Sequence, residues 1–281
     1  FKLSAGSRIS LSNNDNNTSN TVFGKSAFNA GSDNASDFNV AVGELSMGTG
    51  SVSGATMNVA IGYKAMTDAT SGDYNVIIGH LSAQNLTTGS QNIVLGREAF
   101  QTSTGGVSNI VIGHQALQTA NHTSNDGSIA IGELALSAKN LSSGSQYDGA
   151  TVAIGFKALQ DLTSALGNTA IGYLASNDVS TGAGNTSLGY RALASSASSA
   201  DYNVAIGYAA MDASAGTGGG QNVFVGKDAG GGTWTTGACN YNVGIGSEAL
   251  AGALALSSGT IGIGYQALTD LTSGGQNIAI G

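Results

Sequence analysis

A short apolar pattern returns along the chain every 17 to 23 residues. It is clearest in the stretch 58–66, which reads NVAIGYKAM. Aligned on its glycine, the pattern occurs fifteen times between Gly24 and Gly281, with Gly62, Gly79, Gly96, Gly113, Gly172 and Gly189 among the copies. Three positions before the glycine the side chain is β-branched in all fifteen copies; one position before, it is always Ile, Leu, Val or Phe. Two residues apart, these positions share one face of a strand. The residue between them is usually small, as in Ala60, Ala153 and Ala205, which implies an opposite face that is also covered and has little room. Each unit thus predicts one short β-strand ending in a glycine corner.

The polar and small positions are as regular as the apolar ones. The position opening each unit is Asn in twelve copies, including Asn58, Asn75, Asn92, Asn109, Asn168 and Asn185, and Ser or Thr in three (Ser128, Thr151, Thr260). Stacked one rung apart, Asn side chains can hydrogen-bond in a ladder. The glycine suits a corner that needs positive φ or a close backbone approach. Three residues after it comes Ala, or Ser in two units, as a second tight column. The segment beyond carries apolar residues three, four and seven positions after the glycine, which fits either a helical turn or a second short strand. A unit of this size cannot bury a core alone, so successive units must stack as the coils of a parallel β-solenoid. The expected fold is all-β, with about fifteen coils forming a rod about 67 Å long at about 4.8 Å per rung. Residues 1–19 precede the first unit and read as an initial strand or cap, and residues 20–281 form the solenoid. The chain opens without Met and stops on a repeat glycine, so the expectation is a window from a longer fibre.

Composition narrows the function classes. The 281 residues include 44 Gly and no Pro, and only 9% are charged, which argues against a long disordered chain and against collagen. A net charge of −8 argues against a nucleic-acid partner. One cysteine, Cys239, excludes a disulfide framework within the chain. No apolar run approaches the roughly 20 residues of a membrane helix, so no membrane insertion is expected.

The units NTAIGYLAS (168–176), NTSLGYRAL (185–193) and NVAIGYKAM (58–66) resemble the head repeats of trimeric autotransporter adhesins and the similar repeats of bacteriophage tail fibres. The resemblance covers residues 20–281 and rests on recurrence of the motif. It implies a β-roll in which three identical chains pack around a common axis and bury the strand face between them. It also implies a structural and adhesive, non-enzymatic role at a virion fibre or an extracellular surface, with a cell-surface glycan or protein as receptor. The 17-residue base period is longer than is common in adhesin heads, which favours a phage or virus fibre over a bacterial surface adhesin. A glycan-degrading tailspike is the further alternative and would need paired carboxylates in a groove. A homotrimer also follows from the residues themselves, because the two apolar columns would otherwise leave a continuous exposed stripe.

Few residues suggest chemistry. Gly244-Ile245-Gly246-Ser247-Glu248-Ala249 and its copy from Gly262 match a G-x-G-x-x-A dinucleotide turn. That turn should open a long crossover helix, and here a new coil begins within 20 residues, so no cofactor is expected. His80, Arg97 and His114 share the column after the glycine and read as a solvated basic stripe rather than a metal site; His122 falls in a loop. Asp68, Asp161 and Asp270 recur at one turn position and suit turn capping better than calcium. No nucleophile–base constellation emerges, and no metal is expected. The receptor-contact candidates are the aromatic column after the glycine, with Tyr63, Tyr173, Tyr190, Tyr208 and Tyr265 (Phe156 shares it), together with Tyr147 in the insert 137–150 and Trp234 in the insert 230–239. For the column, the competing reading is a ladder of stacked rings that shields the corner. For the inserts, it is a glycine-rich excursion without a role.

Overall fold

The computed structural model describes residues 19–28, 35–120, 126–138, 151–165, 167–195, 199–213, 219–234, 239–255 and 257–281. The initial segment 1–18 lies outside them. Fifteen three-residue strands, β1 (Thr21–Phe23) through β15 (Ile278–Ile280), form one parallel sheet in sequence order. Each strand pairs in register with the next, so that Val59 faces Val76, Ala60 faces Ile77 and Ile61 faces Ile78. The protein is an all-β parallel β-solenoid with one strand per coil.

The segment after each glycine is neither helix nor second strand. It is a run of tight turns, in which the Ala65 N–H donates to Gly62 O at 3.3 Å and the Ala69 N–H to Met66 O at 3.2 Å. Positive φ recurs two and four residues after the glycine, as in Lys64 (53°) and Met66 (50°), and again just before the Asn, as in Met57 (58°). The alternation turns successive amides in opposite directions along the rod. The Lys64 N–H bonds Glu44 O of the preceding coil at 2.9 Å, and the Met66 N–H bonds Ser82 O of the following coil at 3.0 Å. Left-handed backbone costs an ordinary residue roughly 1–2 kcal/mol. The inter-coil bonds offset that cost.

The corner glycines are fixed twice over. Their φ values run from 129° to 154°, a region L-residues rarely adopt. A Cβ built on Gly62 would also overlap the carbonyl oxygen of Gly79, and the same collision repeats up the column. Coils approach so closely here that no side chain fits between them.

Inside each coil the middle strand residue points inward, and Ala60, Ala65 and Met66 are fully buried. The core is thin, so volume is traded between neighbours. Where the middle strand residue is Ala60 or Ala153, the residue six positions on is Met66 or Leu159; where it is Ile77, that residue is Ala83. Phe224 is the extreme case: a Cβ on Gly230 of its own coil, or on Gly244 of the next, would strike its ring. The G-x-G at 244–246 is therefore a packing hole beside a corner glycine.

Behind the sheet runs a buried chain of asparagines. Asn75 Nδ2 donates to Asn58 Oδ1 and to Gly89 O, at 3.0 and 2.8 Å. The same Asn58 oxygen accepts the Asn75 backbone N–H at 2.9 Å. Asn58 repeats the pattern on Asn39, Asn92 on Asn75 and Asn109 on Asn92, and a second run links Asn168, Asn185, Asn203, Asn222 and Asn242. Ser128 and Thr151 interrupt the chain between the two runs, beside the insert 137–150; Ser128 still donates its N–H to Asn109 Oδ1 at 2.9 Å.

Gly96→Ala is expected to destabilise the solenoid by about 3 kcal/mol or more, since both φ and the Gly113 carbonyl oppose the methyl group. Gly54→Ala, at φ 80° but with open space around it, should cost only about 1 kcal/mol. Thermal and denaturant unfolding of the two variants side by side measures the difference.

Candidate binding surface

The strand alternation continues beyond the three hydrogen-bonded residues and sets the outer surface. In the stretch 202–208, Tyr202, Val204, Ile206 and Tyr208 face outward while Asn203 and Ala205 are buried. The β-branched column and the Ile column therefore form the outer face of the sheet, and the small residue between them fills the coil interior. Away from the terminal rungs, exposure in these outer columns reaches 42% at Ile93 and 45% at Leu188. This is a largely apolar strip along the rod, broken by Thr21, Thr169 and Thr186, with aromatic residues on each rim.

The rim after the glycine carries most of the sequence-predicted contact residues. Phe156, Tyr173, Tyr190 and Tyr208 stack face to face, with centroids 5.1–5.2 Å apart and ring planes within 14° of parallel. Tyr63 stacks on His80 at 5.3 Å, and Lys64 and Lys157 lie over Tyr63 and Phe156. These rings spend their faces on one another and offer solvent their edges. Tyr265 is exposed in the same column, where the preceding coil has Ser247. The shielding-ladder reading describes this geometry.

Charged members of the column pair along the rod. Lys25 Nζ lies 3.7 Å from Glu44, and His114 Nδ1 lies 3.7 Å from Glu133. Arg97 forks onto Glu98 Oε1 at 2.7 and 3.0 Å, and Gln115 donates to Glu98 Oε2 at 2.8 Å. These hydrogen bonds, Arg97's first, hold the Glu98 carboxyl below its ordinary range. The sequence-predicted basic stripe of His80, Arg97 and His114 is thus divided among a ring stack and two acidic partners. His122 lies outside the described residues.

Trp234 corrects an expectation. It is 3% exposed and packs tilted against Phe224 at 5.8 Å, so it fills the core rather than meeting a receptor. Its indole also lies against Gly219, where a Cβ would approach it to 3.2 Å. Cys239 is buried as well. Tyr147 lies outside the described residues.

The turn aspartates act within the scaffold. Asp68 Oδ1 accepts the Thr49 hydroxyl at 2.7 Å. Burial, with Asp178 one coil away as the lesser cause, pushes the Asp161 carboxyl above its ordinary range. Among the described residues no three His, Cys, Asp or Glu side chains are placed to hold a metal ion, and no helix is long and apolar enough to cross a membrane.

The second rim, just before the Asn column, was missed in the sequence. Phe38, Met57, Tyr74, Tyr202 and Tyr241 occupy it, each about half exposed or more. Extending the alternation two residues toward the N-terminus would have found it, but the varied residues there hide the column. Near its C-terminal end Asp201, Tyr202, Gly220, Gln221, Asn240 and Tyr241 line an open hollow of about 240 Å³. Comparison with family models, curated proteins and solved structures returned no match.

A raised carboxyl pKa in the folded state means stability that is present at low pH and lost as pH rises from the unfolded value through the folded one. Asp161→Asn removes that loss. Because the side chain is largely in water the effect is small: the variant is expected to melt slightly above the parent at about pH 7 and alongside it at about pH 3, which calorimetry across that range checks.

Proposed function

We propose that the chain is a structural and adhesive fibre segment, a non-enzymatic homotrimer that holds or presents a surface to a cell-surface glycan or protein receptor, as in a phage or virus fibre. The observation that carries this reading is the outer apolar strip. Fourteen rung intervals of about 4.8 Å and a width of about 10 Å make it on the order of 700 Å² per chain. That exceeds the roughly 300–600 Å² of the largest apolar patch on an ordinary monomer, and approaches the roughly 800 Å² each partner buries in a standard stable interface. Its regularly repeating columns suit a copy of themselves, since a parallel neighbour in the same axial register meets the same repeat at every rung. Three such faces turned toward one axis leave the turns and inserts outside, where contact with a receptor is possible. The resemblance of NTAIGYLAS and its kin to adhesin-head and tail-fibre repeats supports the same reading.

Light scattering on the purified protein is expected to give three times the 27.6 kDa chain mass. The double substitution Ile78→Lys and Ile112→Lys lies on the outer face, two coils apart. It should yield a folded monomer, because charges in the strip must be desolvated on association. A monomeric parent, or a trimer unaffected by both lysines, would overturn the reading.

A further inference from the structure

The hollow on the second rim differs from the ring ladder of the first. Tyr202, Gln221 and Tyr241 occupy equivalent positions in three successive coils, with φ of 55°, 60° and 60°. Their backbone amides donate in the same sense to the preceding coil, at Ala183, Asp201 and Gly220. The two tyrosines are therefore translated copies two rungs apart, about 9.6 Å. Each is more than 60% exposed, at 62% and 61%. In the other rim, adjacent coils carry rings that close on each other at 5.1–5.2 Å. Here a glutamine intervenes, and the rings bound a slot instead of a stack. Tyr202 lies against Gly184 of the preceding coil, which has no side chain to displace it.

The slot is ringed by polar groups with unused capacity. Asp201 Oδ1 accepts the Ala183 N–H at 2.7 Å, and its second oxygen has no hydrogen bond among the described residues. Asn240 Oδ1 accepts the Gly220 N–H at 2.8 Å, which leaves its amide hydrogens for a ligand. The Gln221 side chain, exposed between the rings, offers a donor and an acceptor. Two aromatic surfaces with donors and acceptors between them match a ring bearing C–H groups on its faces and hydroxyls at its edge. A puckered ring can lay its C–H groups against an aromatic face while its edge meets the polar groups beside it.

We propose that the Tyr202–Tyr241 slot binds one pyranose unit of a neutral glycan, with the sugar between the rings and its hydroxyls on Asp201, Gln221 and Asn240. The Asp201 carboxylate and the chain's net charge of −8 disfavour acidic sugars. This assignment rests on the receptor-binding reading and narrows it to a carbohydrate held by residues outside the stacked ladder.

Saturation-transfer NMR on the native protein, with the methyl glycosides of glucose, galactose and N-acetylglucosamine and with N-acetylneuraminic acid, tests it. At least one neutral glycoside should receive saturation, and N-acetylneuraminic acid should not. Tyr202→Asn and Tyr241→Asn keep a residue tolerant of left-handed backbone, and each should weaken binding about tenfold. Tyr241→Phe should bind within about twofold of the parent, which keeps the test independent of any misfolding in the Asn variants. Tyr74→Asn, in the same column but outside the hollow, should change nothing. Equal binding by the parent and both Asn variants would overturn the slot while leaving a glycan-binding fibre intact. Cell binding without binding of any neutral sugar would overturn the sugar assignment and point to a protein receptor.

Discussion

The buried asparagine relay is the interaction on which the rest of the structure depends. Within each run, as at Asn75 and Asn92, the side chain uses all of its hydrogen-bonding capacity: two hydrogens donated, one along the rod and one to the turn that closes its coil, and one oxygen accepting twice from the following unit. A buried amide left unpaired would cost several kcal/mol, so each link depends on its neighbours. It ties the strands it links to the turns that close their own coils, because Asn75 also bonds Gly89 O, three residues before the next Asn of the column. Once strand and turn are locked, the outer columns have no freedom of register. The apolar strip, the ring ladder and the two-ring slot are consequences of that fixed translation.

Glycine and left-handed residues make the relay's spacing possible. The corner glycines let coils approach to backbone contact, and the alternating φ beyond them sends amides to both neighbours. The largest interior side chain is matched by small ones: Phe224 is accompanied by Gly230 and Gly244. Charge is scarce for a related reason. Stacked columns place like residues one rung apart, and several of the charges in them sit beside an opposite partner, as in Lys25 with Glu44 or Arg191 with Asp212.

Much of this was legible in the sequence, because a stacked coil copies its physics into columns. The β-branched and Ile positions, the Asn ladder, the corner glycine and the Ala column all do in the structure what their chemistry implied. The turn segment did not declare itself. Its left-handed positions carry Lys64, Met66 and Leu117 rather than Gly or Asn, since inter-coil hydrogen bonds impose the conformation instead of local preference. Trp234 misled because a lone aromatic in a glycine-rich insert looks exposed, whereas its ring packs against Phe224 and Gly219, contacts that the linear sequence does not display. The Tyr202–Tyr241 slot stayed hidden because it depends on two residues 39 positions apart being two coils apart, a relation set by two insert lengths.

Native-state hydrogen exchange on Asn92→Ala addresses the relay most directly. The Asn109 amide donates to Asn92 Oδ1 at 3.0 Å, whereas the nearby Gly113 amide bonds the Leu95 backbone at 2.8 Å. If the relay fixes register, removing one link should accelerate exchange at Asn109 about tenfold or more and loosen Asn75 and Asn92 with it, while coils beyond the Ser128 break hold their protection. Exchange at Asn109 within about twofold of the parent would show that backbone bonding alone carries the coils and that the asparagines merely fill space.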